Sequence, residues 1–340
     1  MAIDISVVIC TWNRARQLDD TLRSLASLRT GCDLRWELVI VDNNSTDDTS
    51  RVVEQAAAAY PVPLRYIFEP HQGKSSAMNT GIAAARGTVI AFTDDDVRVP
   101  ETWLTAVADH LLGGGPHDYA GGPVHPIWER VPPRWFARTG RTLWGTLAIL
   151  DYGEEIFVFE DRTRIPLGAN FAIRRRLIDR IGGFDPTLGR TGDRLLLGQE
   201  LPEFFARSRA AGATGIYLPQ MAIEHHVPAR RVTPAYCRRW WYGKGVSRAR
   251  MEMRHPVTEL GLDLRRVPKV WGVPRFLFGS AARDLTRWIV ATLTFDAGSR
   301  LAAETQLCYF AGQLRERVRH RRKGGPTARL RSVAPRVTLD

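Results

Sequence analysis

The feature that most constrains this chain is a regular alternation of strand and helix signals over residues 1–115. Apolar runs at Ile5–Cys10, Trp36–Val41, Leu64–Phe68 and Thr88–Phe92 read as buried strands. Between and after them lie Ala15–Leu28, Asp47–Ala59, Ser75–Ala85 and Glu101–Leu112, whose apolar spacing suits helices packed on one face. Ser45 stands where it can cap the second helix. Strands separated by helices pair in parallel through right-handed crossovers. The expectation is an α/β fold with a Rossmann-like, mostly parallel sheet flanked by helices.

Ligands of such sheets bind beyond the carboxyl ends of the strands. Thr11–Arg14, Asp42–Ser45 and Asp94–Asp96 all fall at such ends and should converge on one crevice. The last is the most pointed, because the strand runs straight into Asp94, Asp95 and Asp96. Three like charges at one strand end repel each other. A hard divalent cation with oxygen ligands is an economical compensation, and removing one carboxylate should slightly stabilise the metal-free chain. In an extended segment Asp94 and Asp96 point the same way and can share an ion or its waters. An isolated acidic triplet is equally a solvated turn, so the surrounding sequence has to decide.

Residues 116–167 are irregular, rich in Pro, Gly and aromatic residues including Trp128, Trp135 and Trp144, and read as substrate-side loops. Leu167–Ile173 reads as a strand, Glu200–Ala211 as a helix, and Thr214–Ile223 as a strand leading into Glu224-His225-His226. A basic aromatic helix spans Thr233 to about His255, and two helices follow Pro268 and Pro274.

The motifs SVVICTWNR, LVIVDNNSTDDT, HQGKSSAMNTGIAAARG, TDDDV, PLGANFAIRR with RIGGFDPTLG, GQELPEFFARSRAAG and EHHVP occur in that order. In this the chain resembles the inverting family-2 glycosyltransferases of GT-A fold, over roughly residues 4–250. The resemblance implies transfer of a sugar from a nucleotide-diphosphate sugar to a hydroxyl acceptor, with Mg²⁺ or Mn²⁺. It implies that Thr11, Asn13, Arg14, Asp42, Asn44, Lys74, Asp94 and Asp95 bind the nucleotide-sugar, with Asp42 on the base and Lys74 toward the diphosphate. Asp96 would ligate the metal, Asp94 would act through the sugar or a metal-bound water, and His225 would be a late ligand. Gly168 and Asn170 would face the acceptor, and Asn79 would be partly structural. The family's base is usually the Asp of a Glu-Asp pair at a helix start. Here the ungapped pair falls on Glu200-Leu201, which makes Glu200 the candidate base and Glu203 the second choice.

The net charge of +12 is unevenly divided. Residues 1–227 carry 24 Lys and Arg against 28 Asp and Glu, a net of −4; residues 228–340 carry 24 against 8, a net of +16. Such a patch serves nucleic acid or an anionic membrane surface. Leu285, Trp288, Ile289, Thr292 and Leu293 form one helical stripe; Leu307, Phe310, Ala311, Leu314 and Val318 form a second. Stripes like these are either core or, with Arg315, Arg317, Arg319, Arg321, Arg322 and Lys323, a membrane-facing surface. The longest uncharged run, Ala210–Ile223, is 14 residues and too short to span a bilayer. The first residues have no basic region and run straight into a strand, so no signal peptide is expected, and the four scattered cysteines, with Cys10 as a small core residue, fit a reducing compartment.

The expected organisation is a catalytic domain at 1–227 (nucleotide-sugar half 1–115, acceptor half 116–227), a helical extension at 228–320 and a basic tail at 321–340. The expected setting is cytoplasmic, peripheral at the inner face of the cell membrane, in surface polysaccharide or glycolipid synthesis. Expected partners are the nucleotide-sugar donor, a sugar or lipid-linked acceptor and an anionic membrane surface, without nucleic acid. A nucleic-acid-binding protein using the basic third and a catalytically silent assembly partner are the alternatives. An acidic crevice opposes the former; the irregular Glu-Asp motif encourages the latter.

Overall fold

Four parallel strands carry the first part of the chain. The computed structural model describes residues 2–322, apart from 32, 138, 162, 191, 193–197, 257 and 259–261, so the basic tail beyond 322 lies outside it. β1 (Ile5–Thr11), α1 (Ala15–Ala26), β2 (Trp36–Asp42), α2 (Thr49–Ala57), β3 (Leu64–Phe68), α3 (Lys74–Ala84) and β4 (Val89–Thr93) alternate as the sequence implies. The strands pair in parallel in the order β3-β2-β1-β4. Every residue of β2 and β4 is buried, because both faces of the sheet are covered. Ile5, Val7, Ile9, Leu38 and Ile40 pack with Leu18, Leu22 and Trp103 on one face. Val8, Val39, Val41, Ile90 and Phe92 pack with Met78, Phe204 and Phe205 on the other.

β5 (Val97–Arg98), α4 (Trp103–Leu111), β6 (Tyr119–Gly121), β7 (Val124–Trp128), α5 (Arg134–Ala137), β8 (Phe157–Val158), β9 (Asn170–Arg174), α6 (Arg175–Ile181), α7 (Glu200–Ala210), β10 (Gly215–Tyr217) and β11 (Ile223–Val227) follow. The large sheet has eight strands in the order β3-β2-β1-β4-β9-β6-β10-β8, with β9 antiparallel to both neighbours. A second sheet, β5-β11-β7, stands at the strand ends.

Three local expectations change. The run Thr214–Ile223 is not one strand: Pro219 opens a 3₁₀ turn, Pro219–Met221, that carries the chain from the large sheet into the small one. There β11 sets His225 opposite Val97, one residue past the acidic triplet. The strand expected from Leu167 begins at Asn170, after a turn closed between those two residues. Ser45 does not cap α2; Asp47 accepts from the Thr49 N–H at 3.1 Å, while the Ser45 hydroxyl accepts from the Asn13 N–H at 2.9 Å.

The C-terminal part comprises α8 (Pro234–Arg254), the hairpin β12 (Lys269–Val270) and β13 (Val273–Pro274), α9 (Arg275–Leu293) and α10 (Ala297–Arg322). α8 and α10 meet backbone to backbone: a Cβ on Gly245 would sit 2.1 Å from the Tyr309 carbonyl, and one on Gly312 2.2 Å from that of Tyr242. In this seam buried Arg317 pairs with Glu252 at 2.5 Å, and Glu252 also holds Arg248 at 2.8 Å. The Leu307–Val318 stripe is therefore only half-buried, with Ala311 exposed. The other stripe faces outward. Of the 19 residues of α9 only Ala291 is buried, and Leu285, Ile289 and Leu293 are 47, 46 and 72% exposed. No helix among the described residues is long and apolar enough to cross a membrane.

Candidate active site

The carboxyl ends of β1 and β4, the start of α7 and the middle of β11 surround one cleft of about 270 Å³. Asp94, Asp95, Asp96, Lys74, Glu200 and His225 all line it. Much of the triplet's repulsion is met from within the chain. Arg14 Nη1 donates to Asp95 Oδ1 at 2.7 Å and to Asp96 Oδ2 at 2.6 Å, the Thr11 hydroxyl donates to Asp95 Oδ2 at 2.8 Å, and Lys74 Nζ reaches Asp94 Oδ1 at 2.9 Å. Thr11, Arg14 and Asp95 are thus tied to one another along the wall of the cleft that all three line.

Asp96 and His225 are nearly inaccessible, and Asp96 Oδ1 lies 3.3 Å from His225 Nε2. One oxygen or nitrogen from each of Asp94, Asp96 and His225 falls within 4.8 Å of the other two. Among the described residues His225 Nδ1 is buried without a hydrogen-bond partner, and buried Asp96 Oδ1 has only the long approach of His225 Nε2, which a protein interior tolerates poorly. Burial alone would raise the Asp96 pKa, but His225, Arg14 and Arg231 together hold it well below the usual carboxylate range. Asp95 moves the other way, raised by burial and by its two acidic neighbours against the pull of Arg14 and Thr11. An ionised carboxylate, a second carboxylate and an imidazole converging on one point suit a divalent cation. The residues fit one.

Glu200 opens α7, with 7% of its surface exposed, and its Oε2 is buried with no hydrogen-bond partner among the described residues. Burial raises its pKa above the ordinary 4.5, with Lys74 opposing. Gly168 makes room for this corner: a Cβ there would meet Leu201 Cδ1 at 2.9 Å and Lys74 Nζ at 3.4 Å. Glu203 does not reach the cleft. It is buried one turn on, forked by Arg207 at 2.5 and 3.0 Å, and lines a separate cavity with Asn79 and His255. Asn170 is also turned away from the cleft. Fully buried, it donates to the Pro123 and Met221 carbonyls and accepts from Trp103 Nε1, tying the two sheets together. Asn79 brackets Phe184 through its N–H and carbonyl, both at 2.8 Å.

At the carboxyl end of β2, Asp42 is 2% exposed and accepts from the Ser45 N–H at 2.9 Å and the Tyr66 hydroxyl at 2.8 Å. Asn13 and Asn44 have left-handed backbones, with φ of 52° and 66°, and Asn13 Oδ1 accepts from the Thr46 N–H. These bonds stitch the β1 and β2 loops together. Asn43 went unnoticed in the sequence; it accepts from the Gly73 N–H at 2.7 Å and donates to the Glu69 and His71 carbonyls, so it shapes the loop before α3. Arg190, Arg231, Tyr236 and Trp240 also line the cleft unforeseen. The only signal for Arg231 was its place a few residues past EHHVP. Cys10 packs against the core as expected and also lines the cleft, and burial pushes its thiol up to about 12.

A family model described as glycosyl transferase family 2 matches residues 6–182. The chain belongs to glycosyl transferase family 2. Among curated relatives of this glycosyltransferase, the succinoglycan biosynthesis protein ExoM of Rhizobium meliloti is 27% identical over 250 residues, 73% of this chain and 75% of its own. A glucosyl-dolichyl phosphate glucuronosyltransferase of Haloferax volcanii is 26% identical over 256 residues, 74% of this chain and 78% of its own. The mannosyltransferase PcManGT of Pyrobaculum calidifontis, solved with GDP-Man and Mn²⁺, matches with a TM-score of 0.58 at 18% identity, covering 92% of this chain and 88% of its own. That likeness shows the GT-A fold. In this glycosyltransferase the family match covers β1 through α6, and the base candidate and the late histidine lie beyond it.

Proposed function

We propose that this glycosyltransferase is a metal-dependent, inverting enzyme that moves a sugar from a nucleotide-diphosphate sugar to a hydroxyl acceptor. One observation carries the reading: a metal-competent cluster, Asp94, Asp96 and His225, shares a cleft with the buried carboxylate of Glu200, whose Oε2 has no hydrogen-bond partner among the described residues. Bound Mg²⁺ or Mn²⁺ would be held by those three residues and would supply Lewis-acid charge for the departing diphosphate. Of the two, the imidazole favours Mn²⁺.

The chain's own groups supply the rest. The acceptor oxygen attacks the anomeric carbon, the bond from that carbon to the diphosphate oxygen breaks, and the electron pair leaves on the diphosphate. The hydroxyl proton passes to the Glu200 carboxylate, whose raised pKa favours taking it. Lys74, between Asp94 and Glu200, adds positive charge. Asp42, Asn13 and Asn44 shape the base pocket. The part to about residue 227 performs the chemistry, and the helices beyond it form an extension whose start, through Arg231, Tyr236 and Trp240, completes the cleft wall.

The names of the two relatives favour an acceptor that is a growing polysaccharide or a lipid-linked sugar. A membrane-surface location fits α9, whose outward Leu285, Ile289 and Leu293, followed by exposed Phe295 just past its end, share the helix with Arg275, Arg283 and Arg287. Nucleic acid fits less well, because Arg238, Arg248, Arg250 and Arg254 of α8 are engaged by Glu304, Glu252, Glu316 and Asp185. A screen of nucleotide-sugars by thermal shift, with Mn²⁺ and with EDTA, tests the reading. Metal-dependent stabilisation by one donor class is expected; a chain indifferent to every donor is the silent assembly partner instead.

A further inference from the structure

Four cations line the cleft, and two of them are not consumed by its acids. Arg14 is held by Asp95 and Asp96, and Lys74 by Asp94. Arg231 ends the 3₁₀ turn Ala229–Arg231 directly behind β11 and is only 9% exposed. The residue lines the cleft, and its guanidinium has no hydrogen-bond or ion-pair partner among the described residues; the same holds for Arg190 nearby. Burial disfavours the Arg231 charge most; Tyr236 and, from beyond ion-pair distance, Asp96 favour it, while Arg14 and Arg190 repel it. Guanidinium does not relieve such a position by losing its proton. A buried, unpaired charge is costly, so the fold maintains here a cation that an incoming anion would satisfy.

We infer that Arg231, assisted by Arg190, binds a phosphoryl group in the cleft. The planar N–H fork matches two oxygens of one phosphate. The inference rests on the proposed reading that the cleft takes phosphorylated ligands. The phosphate is either the donor's diphosphate, which would then lean on protein as well as metal, or that of a lipid-linked acceptor.

Calorimetric titration of the full chain and of Arg231→Gln, Arg231→Lys and Arg190→Gln separates these sources. The probes are UDP and GDP, each with Mn²⁺ and with EDTA, and farnesyl phosphate. Arg231→Gln should weaken one probe class by about tenfold to a hundredfold, the scale of a lost charge-assisted fork, with Lys recovering part of it. Arg190→Gln should be milder. Loss of diphosphate binding in both Mn²⁺ and EDTA assigns the donor; loss confined to farnesyl phosphate assigns the acceptor. The ligand-free melting temperature of Arg231→Gln should be unchanged or higher, because an unpaired charge is removed. A lower melting temperature with unaltered binding makes the residue structural and overturns the inference. Equal binding of every probe by parent and variant overturns it too. A parent that binds no diphosphate even with Mn²⁺ sinks the donor reading as well.

Discussion

Replacing Glu200 with glutamine separates its catalytic work from its effect on the fold. The side chain keeps its shape but cannot accept a proton, so turnover should fall by about 10²–10⁴-fold, the usual scale for a lost general base. In barrier terms that is about 3–5 kcal/mol. Stability should move the opposite way. Because burial raises the folded-state pKa of Glu200, the fold favours the protonated form. That preference stabilises the protein at low pH and is lost as pH rises through the folded pKa, above which an ionised carboxylate with one unsatisfied oxygen is buried at a cost. The amide does not titrate. The variant should therefore melt higher than the parent at neutral pH, by the equivalent of about 1–2 kcal/mol, and the gap should close in acid. The parent's activity should fall on the acid side at a pH above the ordinary carboxylate range, as the base becomes protonated. Nucleoside-diphosphate release gives the rate, and melting curves from pH 4 to 8 give the stability. A variant within tenfold of the parent, or one less stable at pH 7, would refute the reasoning.

Asp96→Ala should abolish metal-dependent diphosphate binding and also lower stability at neutral pH by about 1–3 kcal/mol, since Arg14 and His225 lose a partner. The depressed Asp96 pKa means that its stabilisation is present above the ordinary carboxylate range and fades as pH falls through the folded value, so the deficit should shrink in strong acid. Calorimetry and melting curves read both effects. Asn170→Ala removes three buried hydrogen bonds and should cost about 3 kcal/mol by urea unfolding, with donor affinity little changed in the folded fraction. Ile289→Glu with Leu293→Glu should release the protein from anionic vesicles at unchanged melting temperature, and salt should weaken the parent's attachment. Flotation that is unaffected by either would leave α9 a surface of another kind.

The parallel half of the fold was readable because β1, β2 and β4 are buried on both faces and their helices carry a clean apolar period. Short, paired-late strands were not. β10 and β11 share one apolar run, and only the 3₁₀ turn at Pro219 assigns them to different sheets. Within the site, the acidic triplet and His225 could be picked out because carboxylates and a histidine at strand ends have few structural uses. Their internal cations could not, since Arg14 meets Asp95 and Asp96 across about 80 residues of sequence, a pairing only the sheet order creates. Glu203 and Asn170 misled for a related reason. Sequence gives residue type and spacing, while Arg207 and the Pro123 and Met221 carbonyls decide which way these side chains are used. Periodicity identified the α9 stripe without saying whether anything packs on it.

The account stands on metal-dependent inversion at Glu200 and the Asp94–Asp96–His225 cluster, and proton NMR of slow donor hydrolysis observes both features together. With a preferred nucleotide-sugar and Mn²⁺, the first sugar released should have the anomeric configuration opposite to that of the donor, before mutarotation mixes the forms, and EDTA should stop its release. Release of the donor's own anomer, or a rate that EDTA leaves unchanged, would contradict the account.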